Sequence, residues 1–215
     1  MESATIRTAA PARTIDQSKM EAFLQKAVND FGAAVSAALV VIGDKLGLYK
    51  AMSHGGPMTA VELARRTGTH ERYVREWLVN QAASGYLDYD SAAQTYSLSH
   101  EHAIALADEH SPFFVGGGFQ VVTAMMKAEP RISQAFMDGT GMYWGEHDPA
   151  LFEGTERFFR PGYAAHLGAE WIPALEGVRE KLERGAAVAD VGCGHGASTL
   201  LMAQAASLGL ALTLL

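Results

Sequence analysis

The 215-residue sequence predicts a mainly α-helical protein in three parts. An N-terminal winged helix-turn-helix leads into a helical linker, and the first βα unit of a parallel α/β domain follows. Three observations carry this. An apolar stripe at steps of three and four runs from Met20 to Ile42. Helix, turn, helix and hairpin signals succeed one another between residues 53 and 100. Near the end, an apolar β-run meets a cluster of three glycines, Gly192, Gly194 and Gly196, and a helix-forming run follows. The expected boundaries are a flexible tail at 1–17, a helix and winged-helix domain at 18–109, a helical region at 110–184 and the α/β start at 185–215.

Composition narrows the classes. Hydrophobic residues make up 48% and charged residues 19%, enough to bury a core. The net charge of -7 argues against a surface built for phosphate backbones. Cys193 is the single cysteine, so no internal disulfide forms, and a reducing cytoplasm fits. Residues 1–17 carry two arginines but no apolar run, unlike a signal peptide. No apolar stretch is expected to reach the ~20 residues that span a bilayer.

Taken in order, Ser18 and Glu21 form a capping-box pattern at the head of the first helix. Its stripe is Met20, Phe23, Leu24, Ala27, Val28, Phe31, Val35, Leu39 and Ile42, widened by alanines. Such a face is either a buried core face or one that packs on a second copy of the chain. Gly43 and Gly47 punctuate the chain before a short helix at Leu48 to Met52. Thr59 caps the next helix with Glu62, and Val61, Leu63 and Ala64 are expected to face inward. Gly68 stops it. A second helix from Thr69 bears Tyr73, Val74, Trp77, Leu78 and Ala82. Residues 86–89 and 95–98 alternate as two strands around a turn, which completes a winged helix-turn-helix.

Charge speaks against DNA in the groove. Over Thr59 to Gln81, Arg65, Arg66, Arg72 and Arg75 face Glu62, Glu71 and Glu76, and the hairpin carries Asp88 and Asp90 with no Lys or Arg. A structural or dimerising role suits that balance better.

From His110 to Glu183 the pattern is helical. Ser111-Pro112 opens a helix that Gly116, Gly117 and Gly118 interrupt, as a hinge or a close packing point. Glu129-Pro130 breaks the next pattern. Asp148-Pro149 opens a helix with Leu151, Phe152, Thr155, Phe158 and Phe159. Arg160-Pro161-Gly162-Tyr163 then separates it from a further helix through His166, Leu167 and Trp171. The aromatic residues here suit a core, and some of them an apolar pocket for a flat small molecule.

The glycine turn admits two nucleotide classes. Gly192, Gly194 and Ala197 fit the G-x-G-x-x-A dinucleotide form. Asp190, Gly192, Gly194 and Gly196 fit an acid-x-G-x-G-x-G form. The acid decides. A carboxylate at the strand end repels a pyrophosphate and attracts a methionine-type ammonium, as in S-adenosylmethionine.

The run Val188-Ala189-Asp190-Val191-Gly192-Cys193-Gly194-His195-Gly196 resembles the first motif of class I S-adenosylmethionine-dependent methyltransferases. The element order resembles the bacterial O-methyltransferase-like group with an N-terminal winged-helix domain, and Phe158-Phe159-Arg160-Pro161-Gly162-Tyr163 looks like the stretch that precedes the motif there. The resemblance covers roughly Lys19 to Ala205. It implies a Rossmann-like domain, S-adenosylmethionine as cofactor and a small-molecule methyl acceptor. It places Asp190, Gly192 and Gly194 at the cofactor's methionine end and Gly196 where the following helix approaches. It puts Tyr163 and Arg160 close to the cofactor or substrate. It also makes the winged helix a dimerising, pocket-covering element, hence a homodimer through the N-terminal helices.

The sequence departs from that pattern after the turn. The acid expected about 20 residues on, for the ribose hydroxyls, is missing from the run AASLGLALTLL. The end reads as a truncated or frameshifted product, with a tail that makes at best a poor second strand, and no catalytic base is assigned. His100 and His102 are expected on one face of a strand, but no further ligands complete a zinc site. Cys193 and His195 read as loop residues rather than catalytic groups. Two further function classes remain: a winged-helix transcriptional regulator with a ligand-sensing C-terminal half, and a non-catalytic dimerisation module.

Overall fold

A computed structural model of the chain describes residues 14–205 and 211–214. Most of the expected tail, residues 1–13, therefore lies outside the described residues. Two compact units are present, Met1–Val35 and Ser36–Leu215.

In the first unit the described chain is the N-terminal part of helix α1, which spans Gln17–Lys45 in all. The helix starts one residue before Ser18. Asp16 caps it instead, its carboxylate accepting the Lys19 N–H at 3.2 Å, where a negative charge also complements the helix dipole. The apolar stripe is exposed here: Phe23 is 64%, Phe31 61% and Val35 62% accessible. The buried-core alternative fails for this stretch. By length and composition α1 is also apolar enough to cross a membrane, with a mean hydropathy of 1.4 over an 18-residue window. That corrects the expectation from sequence. The alanines lift the average over the C-terminal half of the helix, where no charge falls between Asp30 and Asp44.

The second unit begins with the last turns of α1, where Ala37, Val40, Val41 and Gly43 are buried. Gly43 is buried because a Cβ there would run into the Trp77 and Tyr49 rings. The Trp77 indole N–H donates to the Leu39 carbonyl at 2.9 Å, tying α1 to the winged helix. Helix α2 is Leu48–Ser53, α3 Ala60–Thr67 and α4 Glu71–Ala83. The Thr59–Glu62 capping box forms as expected. Leu63 and Ala64 are buried, but Val61 is exposed. Helix α4 starts at Glu71 rather than Thr69, because the His70 ring accepts the Arg72 N–H and acts as its cap. Tyr73 of α4 is exposed, while Val74, Trp77 and Leu78 enter the core.

The wing is a two-stranded antiparallel sheet, β1 Asp88–Asp90 and β2 Thr95–Ser97, with Tyr89 opposite Tyr96. It starts later than residue 86 because the Tyr86 and Leu87 N–H groups bond back to the Gln81 carbonyl. Met58 bridges to Tyr96 on the other edge. The histidines at 100 and 102 lie in a helix, α5 (His100–Leu106), not a strand, because the Ser99 hydroxyl accepts the His102 N–H and caps it.

Helix α6 is Gly116–Lys127, α7 Glu129–Asp138 and α8 Pro149–His166. The three glycines open α6 rather than interrupt it. Gly117 and Gly154 let α6 and α8 touch backbone to backbone: a Cβ on Gly117 would lie 2.6 Å from the Gly154 carbonyl oxygen. Helix α8 is one helix, not two. It runs through Pro161, which is buried, and forgoes one ladder bond there. A π-helical turn at Leu167–Trp171 extends it. Helix α9 is Val178–Glu183.

Strand β3 (Ala187–Asp190), helix α10 (Ala197–Ala205) and strand β4 (Ala211–Leu214) complete the chain. β4 pairs with β3 in parallel, Ala187 opposite Ala211 and Asp190 opposite Leu214. The apolar tail is thus a true second strand, and the crossover through α10 gives the parallel pair its connection. The protein is mainly α, with a winged helix-turn-helix and a partial Rossmann-like α/β layer.

Candidate functional site

The turn between β3 and α10 holds Gly192, Gly194 and Gly196 at φ of 74°, 54° and 77°. Each lies in the left-handed region that L side chains rarely adopt. A Cβ at any of the three would meet nothing within 4 Å, so open space lies beside this stretch of backbone.

That space belongs to a cavity of about 670 Å³. One side is the turn itself: Asp190, Val191, Gly192, Cys193, Gly194 and His195. The other is a single face of α8, where Phe152, Thr155, Glu156, Phe159 and Tyr163 recur at helical steps. Trp144 closes one end, its ring 5.4 Å edge-on from Phe152. A second cleft of about 320 Å³ shares Phe159 and Tyr163 with the first. Its walls are Pro112 to Val115 on one side and Phe158, Phe159, Gly162 and Tyr163 on the other, with Trp171 at the end. Phe159 and Tyr163 stack at 6.0 Å and 17° between the two spaces.

Asp190 lies at the C-terminal end of β3, where open α/β sheets bind ligands. One of its oxygens accepts from both Ser198 (2.8 Å) and Thr199 (2.5 Å) in the first turn of α10. The carboxylate thus pins the turn to the helix while forming part of the cavity wall.

The sequence-derived site residues separate into two groups. Asp190, Gly192, Gly194 and Tyr163 line the cavity together. Gly196 is not part of the lining, although its neighbours His195 and Ala197 are; it turns the chain into α10, its N–H bonding to the Cys193 carbonyl at 2.8 Å. Arg160 is not on the wall. It pairs with Glu109 at 3.2 Å and Glu156 at 3.5 Å. Glu156 escaped the sequence reading, although its spacing from Phe152, Phe159 and Tyr163 already places it on their helical face. Cys193 and His195 do line the cavity. Among the described residues no group of three or more His, Cys, Asp or Glu side chains suits a metal ion.

A half-buried ionic centre joins α8 to α1 and to the segment before residue 110. Arg157 of α8 donates to Asp44 at 2.7 and 3.0 Å, to Glu109 at 2.6 Å and to Gln120 at 2.8 Å. Burial opposes its charge, but these bonds outweigh it and raise its pKa further. For Glu109, burial raises the pKa, yet the bonds and charges of Arg157 and Arg160 bring it below the ordinary glutamate value.

With fold and site described, comparison with known proteins shows what the chain is similar to. Residues 33–108 match the Rv2258c-like winged helix-turn-helix domain family. Beyond that domain the likeness is one of fold, to part of several solved methyltransferase structures. Mitomycin 7-O-methyltransferase MmcR superposes with a TM-score of 0.62 at 23% identity, over 92% of this chain and 59% of its own. A structure of PigF with SAH gives 0.58 at 20% identity, over 89% and 58%. Human N-acetylserotonin methyltransferase in complex with SAM gives 0.57 at 15% identity, over 94% and 60%. The chain therefore spans less than two thirds of the length of these proteins. No curated protein sequence matches it.

Proposed function

We propose that the glycine-turn cavity takes the methionine end of S-adenosylmethionine, and that the chain serves methyl transfer to a small, flat, largely apolar acceptor. The observation that carries this reading is that Asp190, Gly192 and Gly194 share one cavity with the aromatic face of α8. The turn fits the group. Its backbone is open to close approach at three glycines, and its one carboxylate suits an ammonium and opposes a pyrophosphate.

When bound, the cofactor supplies an electrophilic methyl group. The chain's own part is positioning. Asp190 and the turn orient the amino-acid end, and Phe159 and Tyr163 form the shared wall between cofactor and acceptor spaces. The apolar cleft behind them excludes water from one face of the acceptor. The run AASLGLALTLL contains no acid for ribose hydroxyls, so low affinity is expected. Calorimetry tests this: weak, saturable binding of S-adenosylmethionine is expected, and binding of NADH in its place would overturn the reading.

The exposed apolar face of α1 at Phe23, Leu24, Val28, Phe31 and Val35 supports a homodimer through these helices. Light scattering at twice the chain mass is the expected result. The reading as a DNA-binding regulator finds less support. On α4, Arg72 pairs with Glu76 and Arg75 with Glu71, so the helix offers phosphates little unpaired charge. Sequence-specific retention in a gel shift at physiological salt would favour it. A cytoplasmic location remains part of the proposal and rests on the single cysteine alone.

A further inference from the structure

The aromatic cleft has two walls from distant parts of the chain. Residues 112–115 form one and α8 the other. Packing holds the inner end of the loop wall, where Phe114 is 3% exposed and Gly116 opens α6 against α8, but leaves its outer part free, since Phe113 is 70% exposed. Charge adds a second tie. The segment just before the loop wall carries Glu109, whose two carboxylate oxygens are both engaged by α8. One accepts from Arg157 at 2.6 Å and the other from Arg160 at 3.2 Å. Arg157 also lies over the Phe114 ring, 5.3 Å from its centroid, and Phe114 is itself part of the loop wall. The loop is internally stiff. Asp108 and Ser111 hold the His110 and Phe113 N–H groups, and the Val115 N–H bonds to Ala105 at 2.9 Å. These bonds make the loop one piece anchored to α5, and the Glu109 link ties that piece to α8.

The geometry points to Glu109, Arg157 and Arg160 as a clasp that fixes the width of the aromatic cleft, and so to positioning residues for the acceptor. The claim about the acceptor rests on the proposed function; the claim about cleft width does not. Arg157 is the fixed half of the clasp, since Asp44 and Gln120 hold it whatever Glu109 does. Glu109 is the releasable half, because its side chain is 44% exposed and no other side chain of the described residues shares its carboxylate. A clasped cleft of about 320 Å³ has room for a one- or two-ring planar molecule.

The chain labelled with 5-fluorotryptophan tests this by fluorine NMR, because its three tryptophans report separately. Trp171 lies in the cleft, Trp144 at the neighbouring cavity and Trp77 in the winged-helix core. Trp171→Phe and Trp144→Phe assign the lines. Without ligand, E109Q is expected to shift or broaden the Trp171 line and leave Trp77 in place. R160Q removes the outer limb, together with the Arg160–Glu156 pair, and should move Trp171 the same way by less, and E109D should restore most of the original position. The probe 2-naphthol should perturb Trp171 saturably in the unaltered chain. It should bind E109Q about tenfold more weakly, the worth of one charge-assisted hydrogen bond. If E109Q shifts all three lines, R160Q decides. Trp171 unmoved in R160Q, or in both variants, overturns the clasp. A Trp171 line that moves with E109Q while 2-naphthol fails to bind the unaltered chain keeps the clasp and refutes the acceptor reading alone.

Discussion

Gly117→Ala probes the joint on which the site is built. An added Cβ would lie 2.5 Å from the Phe158 nitrogen, 2.6 Å from the Gly154 carbonyl oxygen and 3.0 Å from the Arg157 carbonyl carbon. All three are backbone atoms of α8, so no side chain can swing aside. The shortfall from ordinary van der Waals contact is about an ångström, and α6 and α8 must part to make room. Overpacking of this kind costs about 1–3 kcal/mol. Alanine returns up to ~1 kcal/mol of helix propensity, less in a first turn. A net loss of about 1–2 kcal/mol is expected, which lowers Tm by roughly 2–8 °C in a chain of this size. Thermal melting by circular dichroism measures it. Gly32→Ala is the control. Gly32 sits within α1 with nothing within 4 Å of its added Cβ, so that variant should gain up to ~1 kcal/mol. Gly117→Ala melting at or above the unaltered chain would refute the close-packed joint.

Other outcomes follow from the same structure. Thr59→Ala removes the hydroxyl that accepts the Glu62 N–H and should cost about 1 kcal/mol in a urea titration; no change would mean the capping box is only apparent. Arg157→Met strands Asp44, whose side chain is 14% exposed, and should destabilise by about 3 kcal/mol; a loss below about 1 kcal/mol would show the centre to be well hydrated. The Glu109 pKa is depressed, so its contribution is complete above the ordinary glutamate value and lost as pH falls through the lower folded value. Stability of the unaltered chain should therefore fall more steeply than that of E109Q on acidification below about pH 4.5; equal slopes would contradict it. Asp190→Asn keeps an acceptor for Ser198 and Thr199 but removes the charge. It should melt near the unaltered chain and bind S-adenosylhomocysteine several-fold more weakly.

Local signals carried most of the winged helix. Thr59 with Glu62 and the alternating hairpin are short-range patterns, and the structure follows them closely. The glycine turn was legible for the same reason, since its backbone conformation is written in the residues that tolerate it. Errors arose where tertiary packing overrode a local rule. Pro161 looks like a break, yet α8 runs through it because the buried face at Leu151, Gly154 and Pro161 holds the helix on α6. Gly116 to Gly118 look like an interruption, a hinge or a close packing point; they open α6 instead, and Gly117 is the close packing point. The exposed stripe of α1 has the periodicity of a core helix, and periodicity does not say what the face meets. The Glu109–Arg157 pair lies 48 positions apart, and nothing local marks it. Arg160 pairs with Glu109 and with the cavity-lining Glu156, partners that no local pattern announces.

Saturation-transfer difference NMR of S-adenosylhomocysteine with the 215-residue chain tests the central claim most directly, because it reads weak binding atom by atom. Saturation should be strongest on the homocysteine protons, weaker on the adenine, diminished in Asp190→Asn and unaffected by excess NAD. No transfer to S-adenosylhomocysteine at millimolar concentration, or its displacement by NAD, would contradict an S-adenosylmethionine site at the glycine turn.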